Sequence, residues 1–245
     1  SLSIIGLAVT ASILLFGLGV ALTKLFHVEG DRSQIYRAMT MFGNVGFMGI
    51  PIITSIFPER GMLYVSVFTI VDQLAMWTVG VKLTSPSGKG KFDPKKLINP
   101  ATVAIALAVL FVLTGLKLPG VFQTGFQNIG ATATPLAMIY LGGVFACMDI
   151  RKYVKQSELY GIIICKMLIF PVLFYLVLGF ITVSEEIRMT MSLITAMPTM
   201  SSVVMLANSS GSDGEYSLGG VMLTTLCGIV TLPVVCRVLL WIAGS

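Results

Sequence analysis

The chain has 245 residues and a formal net charge of +5, with 56% hydrophobic and 11% charged residues and a mean hydropathy of +0.93. Soluble domains carry roughly 25% charged residues and cover their surface with polar groups, so this composition excludes a soluble globular fold. It predicts a polytopic, all-α membrane protein, because segments that cross a bilayer satisfy their backbone groups as helices of about 20 apolar residues. The positive charges lie mostly in short loops, which favours a topology signal over a nucleic-acid partner.

Eight apolar segments are long enough to cross the membrane as helices. In chain order they are 4–26, 35–57, 62–84, 99–117, 130–149, 158–182, 187–208 and 216–241. The segment 187–208 has the weakest apolar signal, because it is rich in Met, Ser and Thr. The first segment begins almost at the first residue with no initiating Met before it, so we expect the chain to start part-way through a longer protein.

The loops between these segments differ in charge between the two sides of the membrane. One side carries eleven Lys and Arg, namely Lys24, Arg32, Arg37, Lys82, Lys89, Lys91, Lys95, Lys96, Arg151, Lys152 and Lys155. The other side carries four, namely Arg60, Lys117, Arg188 and Arg237. Cytoplasmic loops are enriched in Lys and Arg, so the first set is predicted to be cytoplasmic. Both chain ends then lie outside, and the protein is predicted to be a multi-pass protein of the plasma or cytoplasmic membrane.

Two segments carry a proline deep within the apolar stretch, with small or polar residues around it. They are 43–51 (GNVGFMGIP) and 196–202 (AMPTMSS). A short acidic loop with glycine and one more apolar helix follow each of them, so segments one to three correspond to segments six to eight. The charge bias orients the two triplets oppositely, which predicts inverted-topology repeats. Paired interruptions of this kind indicate a transporter's binding site, because proline removes a backbone donor and frees groups to face a substrate. An ordinary kink is the alternative for either proline taken alone.

Several motifs resemble the auxin efflux carrier family, the PIN-like transporters. The stretch Asn44-x-x-x-Met48-Gly49-Ile50-Pro51 resembles the broken fourth helix of that family. Further resemblances follow in order along nearly the whole chain, at 99–102 (NPAT), 134–143 (TPLAMIYLGG), 197–199 (MPT) and 231–233 (TLP). The resemblance implies ten helices in two inverted five-helix repeats. The first two helices of each repeat form a scaffold, and the last three form a transport domain.

This resemblance implies a division of the chain into four parts. Residues 1–84 hold the last three helices of the first repeat, and 85–98 form a cytoplasmic linker. Residues 99–157 hold the scaffold helices of the second repeat, and 158–245 hold its last three helices. The first two helices of the first repeat have no counterpart, so we expect about two helices to be missing at the N-terminus. A homodimer through the scaffold helices is the expected assembly.

The resemblance also implies a site where crossed, unwound helices hold the carboxylate of an organic anion near the middle of the membrane. The substrate-binding residues that we predict are Asn44, Gly49, Pro51, Pro198, Thr199 and Ser201. Asn44 matches an asparagine that contributes to the family's site. The alternative for Asn44 is a hydrogen bond that joins two helices, and the alternative for Ser201 is packing at a helix interface.

Asp72 and Lys166 are ionisable residues that lie well within predicted spans, and Gln73 follows Asp72. A charge near a helix centre costs roughly 2.5–3.5 kcal/mol on insertion scales, so each needs a partner or a wet cavity. We expect Asp72 and Gln73 to serve in proton or cation coupling, and Lys166 to supply the counter-charge for an anion. Two alternatives stay open: Lys166 extends towards the cytoplasmic face, or Asp72 and Lys166 form a pair.

Together these features predict a secondary transporter that moves a small organic anion, such as a carboxylate, by alternating access. An enzyme is not expected, because zinc and nucleophile-elbow motifs are missing and acid–base residues within the spans are too few. A channel is not expected either, because rings of like charge and a carbonyl-filter motif are missing from the sequence. The sequence is also compatible with a non-transporting membrane sensor or structural protein with a transporter-like fold, and with a sodium-coupled symporter of the bile-acid type. No cofactor or metal is expected, coupling to a proton or sodium stays open, and the expected partners are the anion and the lipid bilayer.

Overall fold

The structure is a computed structural model that describes residues 2–86, 118–146 and 150–244, with isolated positions between 103 and 116. Every regular element in these ranges is a helix, which confirms the all-α fold. The chain separates into two compact units, one of Ser1–Gly90 with Asp149–Ser245 and one of Lys91–Met148. The transport and scaffold roles assigned from the sequence stay predictions.

The described residues form eleven helices. In chain order they are α1 (Leu2–Leu25), α2 (Gly30–Met41), α3 (Val45–Ile56), α4 (Gly61–Leu83), α5 (Gly120–Ala131), α6 (Ala133–Ala146), α7 (Ile150–Val154), α8 (Ser157–Leu178), α9 (Glu185–Thr195), α10 (Ser202–Ser209) and α11 (Gly214–Ala243). Helices α5 and α6 belong to the second unit, and the others belong to the first. Among the described residues, three of these helices contain a π-helical stretch: Val45–Gly49 in α3, Met76–Gly80 in α4 and Ile162–Ile169 in α8.

Within the described residues, α1, α4, α8 and α11 are long and apolar enough to cross a membrane. They confirm the spans predicted at 4–26, 62–84, 158–182 and 216–241. Their surfaces expose large apolar side chains, among them Ile13, Leu173, Ile229 and Trp241, which suits a lipid surrounding and would be costly in water. The protein is therefore an integral membrane protein.

Two further predicted spans are each made of two helices. The span at 35–57 is divided between α2 and α3, and the span at 187–208 is divided between α9 and α10. The span at 130–149 overlaps α6, whereas 99–117 lies largely outside the described residues. The total of eight spans stays a prediction.

Helices of the first unit pack so that ends expected on one side of the membrane lie together. Helix α1 packs against α2, α4 and α9, and α11 packs against α8, α9 and α10. At the end predicted to be cytoplasmic, Arg32 pairs with Asp213 at 2.8 Å. At the opposite end, the Tyr64 hydroxyl donates to Glu186 at 3.1 Å. Which end faces the cytoplasm stays a prediction from the charge bias.

Candidate functional site

The interruption between α2 and α3 pairs with the interruption between α9 and α10. The Asn44 N–H donates to the Pro198 carbonyl at 2.7 Å, and the Met200 N–H donates to the Phe42 carbonyl at 3.1 Å. The two extended segments are antiparallel. Backbone groups freed by the two broken helices therefore satisfy one another, as they must where no water is available.

Gly43 lies opposite Thr199 at the centre of this pairing, which comprises residues 42–44 and 198–200 and is called the crossing below. A Cβ atom on Gly43 would lie 3.2 Å from the Cβ atom of Met197. That contact is tighter than ordinary van der Waals packing, so the missing side chain of Gly43 lets the two backbones approach. The glycine, rather than a proline, sets the closeness of the crossing.

Thr199 is fully buried and is bonded in two directions. Its N–H donates to Oγ1 of Thr224 on α11 at 3.1 Å, and its own Oγ1 donates to the carbonyl of Met39 in α2 at 3.1 Å. The crossing is thereby fastened to two helices. Thr224 is absent from the residues predicted from the sequence, and its signal is a hydroxyl within an otherwise apolar helix.

Lys166 on α8 is also fully buried, and its ammonium group reaches the end of α2. Nζ donates to the carbonyls of Met39 at 3.1 Å and Phe42 at 3.3 Å. The last carbonyls of a helix have no partner within it, and a cation there also interacts favourably with the helix dipole. The alternative in which Lys166 extends towards the cytoplasmic face does not hold, because its ammonium donates to carbonyls at the crossing, and its role as a counter-charge stays a prediction.

Asp72 lies buried on α4, with 3% of its surface exposed. Its charge interacts electrostatically with that of Lys166, but these two described side chains form no ion pair within 4.0 Å. The Asp72 carboxylate accepts no hydrogen bond from the described part of the chain. Gln73 is half-buried beside it and takes no part in the bonding of the crossing.

Two helices begin at the crossing, α3 at Val45 and α10 at Ser202. Helix N-termini carry a partial positive charge. Asn44 caps α3, since its Oδ1 accepts the Phe47 N–H at 3.3 Å. Its Nδ2 group has no hydrogen-bond partner among the residues that the structure describes. Ser201 directly precedes α10 and is 2% exposed.

Two of the predicted substrate-binding residues, Gly49 and Pro51, lie off the crossing. Gly49 is buried within α3, where an added Cβ would lie 3.1 Å from Cγ1 of Val45. Pro51 is exposed and lies within α3 as well. The interruption falls at 42–44, at the start of the predicted stretch 43–51 rather than at its proline. Pro51 directly follows the π-helical stretch Val45–Gly49, where the regular i→i−4 hydrogen bonding of the helix is already interrupted.

Comparison with known proteins gives a family and relatives that are all named for transport. Residues 1–236 match the family described as membrane transport protein. A "Putative malonate transporter" of Rhizobium meliloti (strain 1021) is 21% identical over 241 residues, which cover 94% of this chain and 74% of the relative. An "Uncharacterized transporter YfdV" of Escherichia coli (strain K12) is 24% identical over 211 residues, which cover 82% of this chain and 64% of that relative.

Proposed function

Because the chain belongs to the membrane transport protein family, the auxin efflux (PIN-like) family that its motifs resemble, we propose that it is a secondary transporter of a small organic anion. The anion binds at the crossing, and transport proceeds by alternating access. The names of the family and of the relatives support transport rather than catalysis.

The observation that carries the proposal is the convergence of two helix N-termini on one buried place. Helices α3 and α10 both begin at the crossing, so both direct partial positive charge at it, as at helix-terminal anion sites. The side-chain amide of Asn44 supplies an N–H donor, and Thr199 and Ser201 lie alongside on the other segment. A carboxylate, with two acceptor oxygens, is the ligand that these donors fit.

The arrangement of the helices supports an inverted repeat. The broken pair α2–α3 stands between the long helices α1 and α4, and the broken pair α9–α10 stands between α8 and α11. On this proposal residues 1–84 and 158–245 form the transport part, and 99–157 form the scaffold through which a homodimer would assemble. Both chain ends then lie outside the cytoplasm.

The charges near the crossing support different roles for its ionisable residues. Lys166 is committed to the carbonyls of Met39 and Phe42, so it stabilises the broken helix and contributes positive potential without binding the anion directly. No described residue donates a hydrogen bond to the Asp72 carboxylate, and Gln73 lies beside it. We assign Asp72 and Gln73 to coupling with a proton or sodium ion.

Malonate is the first substrate to test, since a relative bears its name. The full chain would be reconstituted in proteoliposomes, and uptake of labelled malonate, malate and auxin would be measured under an imposed proton or sodium gradient. We expect saturable uptake of at least one anion, with competition by unlabelled substrate. Asn44→Ala should reduce uptake strongly, whereas Asn128→Ala, which removes an exposed asparagine on α5, should leave it unchanged.

Saturable binding without flux would contradict transport and favour a sensor with a transporter-like fold. Uptake that depends on sodium alone would identify a symporter of the bile-acid type. Equal uptake by Asn44→Ala and the wild type would remove the crossing as the binding site.

A further inference from the structure

A cavity of about 260 Å³ lies between the end of α1, the turn that follows it and α2. It is separate from the crossing, and nothing in the proposed transport mechanism uses it. The residues that line it are Thr23, Lys24, His27, Val28, Glu29 and Arg37.

The lining of this cavity has an excess of positive charge. Lys24 and Arg37 face one carboxylate, Glu29, and none of the three takes part in an ion pair within the described residues. Arg37 is half-buried, and the one side-chain hydrogen bond that it makes to described residues runs from Nε to Oγ1 of Thr23 at 3.4 Å. The outer N–H groups of its guanidinium therefore have no protein acceptor in the described part of the chain, although this group suits a bidentate oxyanion.

The walls of the cavity are held by close packing. A Cβ on Gly19 of α1 would lie 3.1 Å from Cα of Arg37, so the two helices touch directly beside the cavity. The turn is closed by the Val28 N–H, which donates to the Thr23 carbonyl at 2.9 Å. His27 in this turn has a positive φ of 54°, an uncommon conformation for a residue with a side chain.

The cavity opens at the depth where lipid headgroups lie. Helix α1 has 24 residues, which at 1.5 Å per residue span the hydrocarbon layer and end at its border. Leu25, at the end of that helix, is 67% exposed, and Ile13 and Leu14 are exposed further along it. An acyl chain can lie along this apolar surface while its headgroup reaches the cavity.

We propose that this cavity binds the phosphate of an anionic phospholipid. Arg37 and Lys24 contact the phosphate oxygens, Glu29 limits the affinity, and the exposed face of α1 accommodates an acyl chain. Basic pockets between membrane helices bind anionic headgroups in this manner.

The test uses the full chain in detergent, with native mass spectrometry of lipid retention after addition of phosphatidylglycerol or phosphatidylcholine. We expect one phosphatidylglycerol to be retained in preference to phosphatidylcholine. Arg37→Gln should weaken that retention about tenfold, since charge-assisted hydrogen bonds are lost. Lys24→Gln changes an exposed side chain and should weaken it without a risk to folding, and Glu29→Gln should strengthen it.

Lys155→Gln is the matched control, because it removes an exposed charge that does not line the cavity. A second arm adds excess inorganic phosphate without lipid. The proposal is overturned if both lipids are retained equally, if Lys24→Gln and Arg37→Gln retain phosphatidylglycerol as the wild type does, or if free phosphate binds at Arg37 and the lipid shows no preference.

Discussion

Lys166 shows that a buried charged side chain can bind main-chain carbonyls rather than a ligand. Its ammonium donates to the carbonyls of Met39 and Phe42 at the end of a broken helix, and the same two carbonyls also accept from Thr199 Oγ1 and the Met200 N–H. The sequence indicates that a charge in α8 needs a partner, but it does not indicate that the partner is the main chain of α2, 124 residues or more away. Contacts of this range depend on packing that no local pattern encodes.

Lys166→Met should destabilise the folded protein by about 1–3 kcal/mol, because it removes the hydrogen bonds that the ammonium donates to two buried carbonyls. The measurement is thermal unfolding of the purified chain in detergent. Combining it with Asp72→Asn should give a smaller loss than Lys166→Met alone, since the uncompensated charge is then gone. Lys155→Met, at an exposed position, should change stability by less than about 0.5 kcal/mol. Unchanged stability of Lys166→Met would contradict the role of Lys166 as a cap.

Tyr153 lies on α7, outside the membrane spans, and the protonation of its phenol affects the stability of the folded protein. Its hydroxyl donates to Glu215 at 3.0 Å, and burial together with this carboxylate raises its pKa to about 12. The folded state thus favours the neutral phenol. The resulting stability is fully present below the ordinary tyrosine pKa of about 10 and is lost as pH rises through about 12.

Tyr153→Phe should therefore be less stable than the wild type at neutral pH, and the difference should shrink as pH rises between about 10 and 12. Unfolding midpoints measured across this range would test it. Glu215→Gln should move the fall in stability to lower pH, because the phenol then loses its charged acceptor. A difference between wild type and Tyr153→Phe that stays constant with pH would contradict the linkage.

At the scale of the elements, Pro51 and Pro198 take different structural positions although their sequence surroundings are similar. Pro198 lies within the interruption between α9 and α10, as predicted. Pro51 lies within α3, and the interruption falls earlier because Phe42 takes an extended conformation and Asn44, with φ −77° and ψ 62°, lies outside the helical region. A proline predicts a weakened helix, but the position of the break depends on which residues permit close approach of a second chain segment.

Gly228 on α11 tests how tightly the crossing is packed. A Cβ at this position would lie 2.9 Å from Cγ of Pro198, and the proline ring cannot move aside. Gly228→Ala should destabilise the protein by about 1–3 kcal/mol through overpacking. Gly6→Ala on α1 meets nothing within 4 Å and should be neutral or stabilise by up to about 1 kcal/mol. Thermal unfolding of both variants in detergent is the measurement, and equal effects would contradict close packing at the crossing.

At the scale of the whole molecule, composition and hydropathy predicted the membrane setting and the four long helices. Repeated proline-containing stretches predicted two interrupted spans, and the structure brings their interruptions together. The sequence could not identify Thr224 as a partner of Thr199, or the cavity beside Arg37, because both arise from helices that meet only in the folded chain. The residue types show which hydrogen-bonding and charged groups are present, whereas the packing of the helices determines which partners those groups contact.

Binding of the anion at the crossing is tested most directly by equilibrium binding of labelled malonate to the purified chain. The variant combines Asn44→Ala, which removes an amide donor, with Pro198→Ala, which restores an N–H and lets helix extend into the interruption. We expect affinity weakened by about tenfold or more relative to wild type, with Asn128→Ala unchanged and all three proteins folded by thermal unfolding. Binding by the double variant as tight as that of the wild type would contradict the assignment of the site to the crossing.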